Sequence, residues 1–512
     1  MDTLSLLWDG ILTSVTPTNI GLLALGVLMG MVVGAVPGIG PSAGIAILLP
    51  ITMDLDPVAG IIMLAAVYYG AMYGGTITSV LVNVPGDAGS VVATFDGHPL
   101  AKLGRAGPAL VMAAAGSFVA GTVGTVLIVL TAPPLSALAS RLGPAEIFLI
   151  IITGLLTIVV VLGRRKLLGL ISVLAGFAIG TVGVDLGGQQ RYTFGLPDLT
   201  GGIDLVIVVI GVFGVGEMLH SLYRGDHVGP VEHIRFTIRS RSFWPTRTDV
   251  LESQGPIARG SILGFVVGAI PGAGAVLASF MSYGVEKAVS RRPETFGKGA
   301  LPGLVGPETA NNGASTGALV PLLTMGIPGS GSTAVLLTGF LMWGLQPGPL
   351  LMEQNPEFAW GLIASMYVGN VMLLLLNVFC IPLFANIART PLTVIAPAVI
   401  LLCVLGTYVV HGSLFEVGLM LAFGVLGLAM RIYGFSAAAL VIALVLGGEA
   451  EHAFRQTMVI SGGDLGIFLD RAPSRVILAV IAALLVALLV VALRKRRRAA
   501  EPASVDAAAP GD

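Results

Sequence analysis

Apolar runs of about 20 residues recur along the chain, separated by short polar or Gly/Pro-rich breaks. They predict helices at about 20–36, 57–82, 109–130, 145–163, 167–184, 203–222, 357–386, 391–411, 414–430, 435–449 and 475–493. Shorter stretches interrupted by glycine and proline lie at about 42–53, 260–285 and 303–346. A hydrocarbon layer demands helices of this length, because backbone groups inside it must be satisfied internally. The pattern predicts an all-α polytopic membrane protein with about 12 transmembrane helices plus re-entrant or broken helices.

Composition agrees. Of 512 residues, 55% are hydrophobic and 11% charged, with mean hydropathy +0.94. Soluble chains carry about a quarter charged residues, so this one lacks the polar surface to coat a core in water. A soluble enzyme is excluded. The net charge of −1 provides no field for nucleic acid. Cys380 and Cys403 both sit in apolar runs and are expected to be inert thiols. No signal peptide is expected at the N-terminus, and the final EPASVDAAAPGD is expected to be disordered.

Basic residues orient the spans. Arg494, Lys495, Arg496, Arg497 and Arg498 predict a cytoplasmic C-terminus, and Arg164, Arg165 and Lys166 mark another inside loop. The expected organisation is a first membrane repeat at 15–222, a solvated cytoplasmic connector at 223–259, a second repeat with C-terminal helices at 260–493, and a basic tail at 494–512.

The repeat is visible directly. GVLMGMVVGAVPGIG (26–40) aligns without gaps on GSILGFVVGAIPGAG (260–274), with nine identical positions. YYGAMYGGTITSVLVNVPGDAGS (68–90) aligns on NNGASTGALVPLLTMGIPGSGST (311–333), matching Gly70/Gly313, Ala71/Ala314, Gly74/Gly317, Pro85/Pro328 and Gly86/Gly329. Basic flanks are opposed. No Lys or Arg precedes Lys102, whereas Arg259, Lys287, Arg291 and Arg292 bracket the copy of the first motif. Two inverted repeats follow, an architecture that exposes one central site alternately to either side.

Each half carries two Pro-Gly breaks, at Pro37-Gly38, Pro85-Gly86, Pro271-Gly272 and Pro328-Gly329. Proline removes a helical hydrogen bond and glycine tolerates the unwound backbone, which survives at membrane depth only beside protein or a wet cavity. Gly40 and Gly274 close the first pair of breaks. Thr76, Thr78, Asn83 and Asp87 flank the breaks in one half, and Glu308, Asn311, Asn312, Ser315 and Ser332 in the other. Amides, hydroxyls and free carbonyls suit Na⁺, helix N-termini suit carboxylates, and an ionisable Glu308 inside apolar sequence marks function. Two helix N-termini supply about +1 charge, too little for a di- or tricarboxylate. No Arg or Lys lies within these motifs, so a co-transported cation is expected to supply the balance. His98 beside Asp96 is expected to rigidify a loop. With no phosphate loop or zinc motif, no cofactor is expected beyond Na⁺ or H⁺ as coupling ion, and no structural metal.

Through these motifs the chain resembles the TctA family, the large permease subunit of tripartite tricarboxylate transporters. The specific stretches are GAVPGIGPSAG (34–44), 73–110, GPETANNGASTGALVPLLTMGIPGSGSTAVLL (306–337) and GLQPGPLL (344–351). The resemblance implies a secondary active permease in a bacterial cytoplasmic membrane, importing carboxylates such as citrate on a sodium or proton gradient. It also implies two partners, a small four-helix TctB-like membrane subunit and a TctC-like extracytoplasmic solute-binding protein. The family's Pro-Gly and PE-x-A-N-N positions fall on Pro37, Pro85, Pro271, Pro328, Glu308, Asn311 and Asn312, and Asp87 stands where many relatives are expected to be uncharged. The alternatives are a membrane-embedded enzyme, for which no nucleophile–base pair is evident, and a passive channel, which needs no inverted repeat.

Overall fold

The computed structural model describes residues 3–36, 39–83, 85–161, 166–185, 188–225, 240–381 and 392–500. The first half comprises α1 (Thr3–Ser14), α2 (Pro17–Ala35), α3 (Pro41–Thr52), α4 (Pro57–Val82), α5 (Ala93–Lys102), α6 (Ala106–Ala139), α7 (Pro144–Val161), α8 (Lys166–Gly180) and α9 (Leu205–Arg224). The second comprises α10 (Arg247–Gly268), α11 (Gly274–Val289), α12 (Leu301–Gly317), α13 (Leu319–Met325), α14 (Gly331–Met342), α15 (Pro356–Phe379), α16 (Leu392–His411), α17 (Leu414–Tyr433), α18 (Ala437–Ser461) and α19 (Ala472–Ala500). A two-residue ribbon, β1 (Gly183–Val184) against β2 (Gln190–Arg191), is antiparallel.

The chain is an all-α polytopic membrane protein. Eight of the described helices are long and apolar enough to cross a bilayer; α3, α7, α8, α14 and α19 are apolar but shorter as described. This sorts the expected dozen spans into full crossings and shorter pieces. Helix α1 falls outside the expected spans; it docks on α15, where Ser14 donates to the Gly361 carbonyl at 3.4 Å. Helix α10 begins at Arg247, inside the stretch expected to be a solvated connector. Its first turn is capped by Thr246 and Asp249, and Asp249 pairs with Arg105. Phe243 is buried against Gly107. Residues 226–239 of that stretch lie outside the described residues.

The duplication appears as one packing motif built twice. Side chains added at Gly26, Gly30 and Gly34 of α2 would strike the carbonyls of Met63, Val67 and Ala71 on α4; at Gly260, Gly264 and Gly268 of α10 they would strike those of Gly306, Ala310 and Ala314 on α12. The reverse contacts match too: Gly70 and Gly74 meet Val27 and Met31, and Gly313 and Gly317 meet Ser261 and Phe265. Glycine every fourth residue lets two helices touch backbone to backbone, which is how helices associate in lipid without a hydrophobic driving force. Equivalent positions keep the offsets of the sequence alignment, so the identical glycines mark the same interface.

The two copies enter from opposite ends of α6. The base of the α2–α3 hairpin lies by Gly60, against Trp343, and the nearby Pro349 carbonyl accepts from Ser136 at the end of α6. The base of the α10–α11 hairpin lies by Asp249, paired with Arg105 at the start of α6. Helix α6 has 34 residues, about 51 Å of rise, so these bases lie far apart at its two ends. Helix α12 (LPGLVGPETANNGASTG) is too polar for lipid yet almost wholly buried, because the halves close around it.

Candidate functional site

Where the hairpin tips approach each other the protein encloses a cavity of about 880 Å³. Both halves line it: Gly40, Ser42, Pro85, Gly86 and Asp87 from one, and Gly272, Gly274, Ser330 and Ser332 from the other. Across it the Ser42 and Ser332 hydroxyls are 3.1 Å apart, and the Tyr68 hydroxyl lies 3.4 Å from that of Ser330. Three helix N-termini begin at the wall. Helix α3 starts at Pro41 after Gly40; α11 starts at Gly274; α14 starts after Ser330, whose hydroxyl accepts from the Thr333 N–H at 3.2 Å. Each presents roughly half a positive charge, a polarity suited to anions. In the second half the breaks are tied together, Gly272 N donating to the Gly329 carbonyl at 2.9 Å. Gly272 has φ +81°, a conformation that favours glycine.

Glu308 sits one layer behind the wall and is 1% exposed. Thr76 donates to its Oε2, while Oε1 is buried with no donor among the described residues. Asn311 donates to the Met72 carbonyl at 3.4 Å, and its Oδ1 is also buried without a donor. A side chain added at Gly89 would strike both that oxygen and Asp87 Oδ2. Asp87 accepts from the N–H groups of Gly89 and Ser90 at 3.0 and 3.1 Å. Thr76, Glu308, Asn311 and Asp87 therefore present oxygens, two of them unpaired, with no Lys or Arg in contact. Buried acceptors without donors are costly, and hard oxygen ligands of this kind fit Na⁺ or a proton.

The structure separates the other expected residues. Asn312 points away from Asn311 and donates to Ser117 Oγ at 2.7 Å on α6; Ser315 donates to the Asn312 carbonyl at 2.7 Å. Thr78 is spent within α4, donating to the Gly75 carbonyl at 3.0 Å. Asn83 is exposed and ends α4 at φ +60°. Pro271 is half-buried beside the cavity and Pro328 is buried behind it. Pro37 and Gly38 lie outside the described residues. Asp96 and His98 do not meet: Asp96 accepts from the N–H groups of Gly297, Gly299 and Ala300, while His98 Nδ1 lies 3.1 Å from the Val80 carbonyl.

Charged residues outside the repeat motifs also reach the cavity. Arg431, in the last turn of α17, and Glu217, on α9, line the wall as an ion pair, and Arg224 lines it as well. Just before Glu217 the helix widens into a π-helical turn over Ile210–Val215, a local distortion that often accompanies functional sites. Only the lone acid in an apolar run, Glu217, and the lone base, Arg431, signalled this pair in sequence.

The family described as the tripartite tricarboxylate transporter TctA family matches residues 20–442. Two similar proteins are from Agrobacterium vitis. One, an uncharacterized 52.8 kDa protein in the TAR-I ttuC' 3' region, is 41% identical over 482 residues, 94% of this chain and 95% of its own length. The other, an uncharacterized protein in the TAR-II ttuC' 3' region, is 39% identical over 206 residues, 40% of this chain and 85% of its own. No solved structure matches the chain.

Proposed function

The chain belongs to the TctA family of tripartite tricarboxylate transporters, and from that premise we propose that it imports small organic anions by cation symport. The substrate is a tricarboxylate or related carboxylate. It is delivered by a periplasmic solute-binding protein, and the permease works beside a small four-helix membrane subunit. The site is the cavity between the hairpin tips, with helix N-termini facing the anion and the Thr76–Glu308–Asn311–Asp87 oxygens holding the coupling cation. The protein sits in the bacterial cytoplasmic membrane with its C-terminus inside, as the basic tail requires.

One observation carries this reading: broken segments entering from opposite ends of α6 meet at one cavity, with an unpaired buried carboxylate behind it. A site lined by broken segments of both halves suits alternating access, and a buried carboxylate with no Lys or Arg beside it among the described residues suits a transported cation. The test is uptake of labelled citrate by vesicles holding the complete three-component system. Concentrative uptake only with an inward sodium or proton gradient is expected. Gradient-independent flux favours a passive channel; no flux across a panel of carboxylates removes the transport reading.

A further inference from the structure

We propose that Arg431 is the anchor for a substrate carboxylate, and that Glu217 is the internal carboxylate it holds until substrate arrives. The inference rests on the reading of this cavity as the anion site.

Three other arginine–carboxylate pairs set the contrast; Arg191, 30% exposed on Glu451 with its Nε likewise buried and unpaired among the described residues, shares the unused nitrogen but does not line the cavity. Arg259 uses both sides of its guanidinium on Glu286, Nε at 2.8 Å and Nη2 at 2.6 Å, so that fork is full. Arg105 and Arg471 are about half exposed, at 43% and 52%, so their free donors are open to solvent. Arg431 is neither full nor solvated. Its Nη2 engages Glu217, its side chain is 28% exposed, and its Nε is buried with no acceptor among the described residues. A guanidinium presents paired donors that match a carboxylate bidentately, so an arginine on the wall of a cavity with a buried, unused Nε can take a substrate carboxylate once its side chain turns that nitrogen toward the opening.

The framework holds the pair rigidly. Helices α9 and α17 pack through Gly211 on the Met420 carbonyl, Gly216 on Gly427 and Gly424 on Val215, which fixes Glu217 against the last turn of α17. The exchange needs no backbone movement. A substrate carboxylate takes the Arg431 fork, Glu217 turns to the cavity water, and its return to Arg431 expels the substrate. Around the same cavity, Ser42, Ser330 and Ser332 supply hydroxyls for further substrate oxygens.

A structural pair and a displaceable pair predict opposite signs for the two neutral variants. The full-length protein in lipid nanodiscs is melted with saturating sodium chloride, alone and with citrate, tartrate, malate or succinate. The wild type is expected to be stabilised by at least one of them. Glu217→Gln is expected to melt lower without ligand, because Arg431 loses its charge partner, yet to bind that ligand about tenfold more tightly. Arg431→Gln is expected to lose the ligand-induced shift, and Arg431→Lys, which keeps the charge but not the fork, to weaken binding about tenfold. If Arg431→Gln does not fold, the lysine variant carries the comparison. If both neutral variants weaken binding, or neither changes it, Glu217 and Arg431 are a structural brace and the proposal falls. If no carboxylate shifts the wild type, the anion reading of the cavity falls first and takes this inference with it.

Discussion

Buried carboxylates in this fold differ in what holds them: Asp96 takes backbone N–H groups and the Tyr283 hydroxyl, and four others take an arginine. Glu146, Glu217, Asp249 and Glu286 each hold an arginine, Arg471, Arg431, Arg105 and Arg259 in turn. Glu308, equally buried, has a threonine for a partner and a vacant oxygen. Glu146, Asp249 and Glu286 lie in the first or last turn of a helix, where their arginines are about half exposed; Glu217 lies mid-helix in α9. Glu308 lies mid-helix in α12, and no Lys or Arg among the described residues pairs with it. A permanent partner there would lock the two halves together. Its absence means that neutralisation comes from something that arrives and leaves.

The comparison can be broken at its widest point first. Glu308→Gln is expected to abolish concentrative uptake while the protein reaches the membrane in normal amount, since the amide keeps the shape and loses the charge; gradient-driven uptake at the wild-type rate would place Glu308 among the structural acids. Glu286→Gln is expected to do the reverse. It lowers thermal stability by about 1–3 kcal/mol, less than for a fully enclosed pair because Arg259 reaches solvent, and leaves the gradient dependence intact. A smaller effect separates two neighbours. Asn311→Ala is expected to raise the sodium concentration for half-maximal uptake about tenfold, whereas Asn312→Ala, facing Ser117, leaves it unchanged. Equal effects would contradict the split that α12 imposes. The smallest change is expected at the half-exposed pair, where Arg105→Gln costs about 0.5–1 kcal/mol in a melt and more at low salt than at high.

The sequence made the frame legible because membrane physics writes it in large letters. Runs of about 20 apolar residues and the aligned Pro-Gly breaks needed no tertiary knowledge, and α4 occupies the predicted 57–82. Glycines at 26, 30 and 34 and at 260, 264 and 268 showed the duplication, and the structure gives their reason in helix contact. What stayed hidden depends on facing. Asn311 and Asn312 are adjacent in sequence, but about 100° apart around a helix, so one meets the cavity layer and the other meets α6. Arg431 and Glu217 lie more than 200 residues apart, and nothing in either local sequence names the other. Asp96 and His98 are two residues apart on α5 and therefore face different neighbours, which is why the expected contact between them does not form. The stretch before residue 260 read as solvated because it is polar; its capping box and the buried Phe243 make it the start of α10.

The account stands on the meeting of two oppositely inserted hairpin tips at one cavity. Ser42 and Ser332 belong to different halves and their hydroxyls are 3.1 Å apart, a spacing a disulfide can bridge. With Cys380 and Cys403 replaced by serine, the Ser42→Cys, Ser332→Cys double variant is predicted to crosslink under mild oxidation in native membranes. Transport is predicted to stop and to return on reduction. Two free thiols that resist oxidation, with uptake unaffected, would show that the tips do not meet.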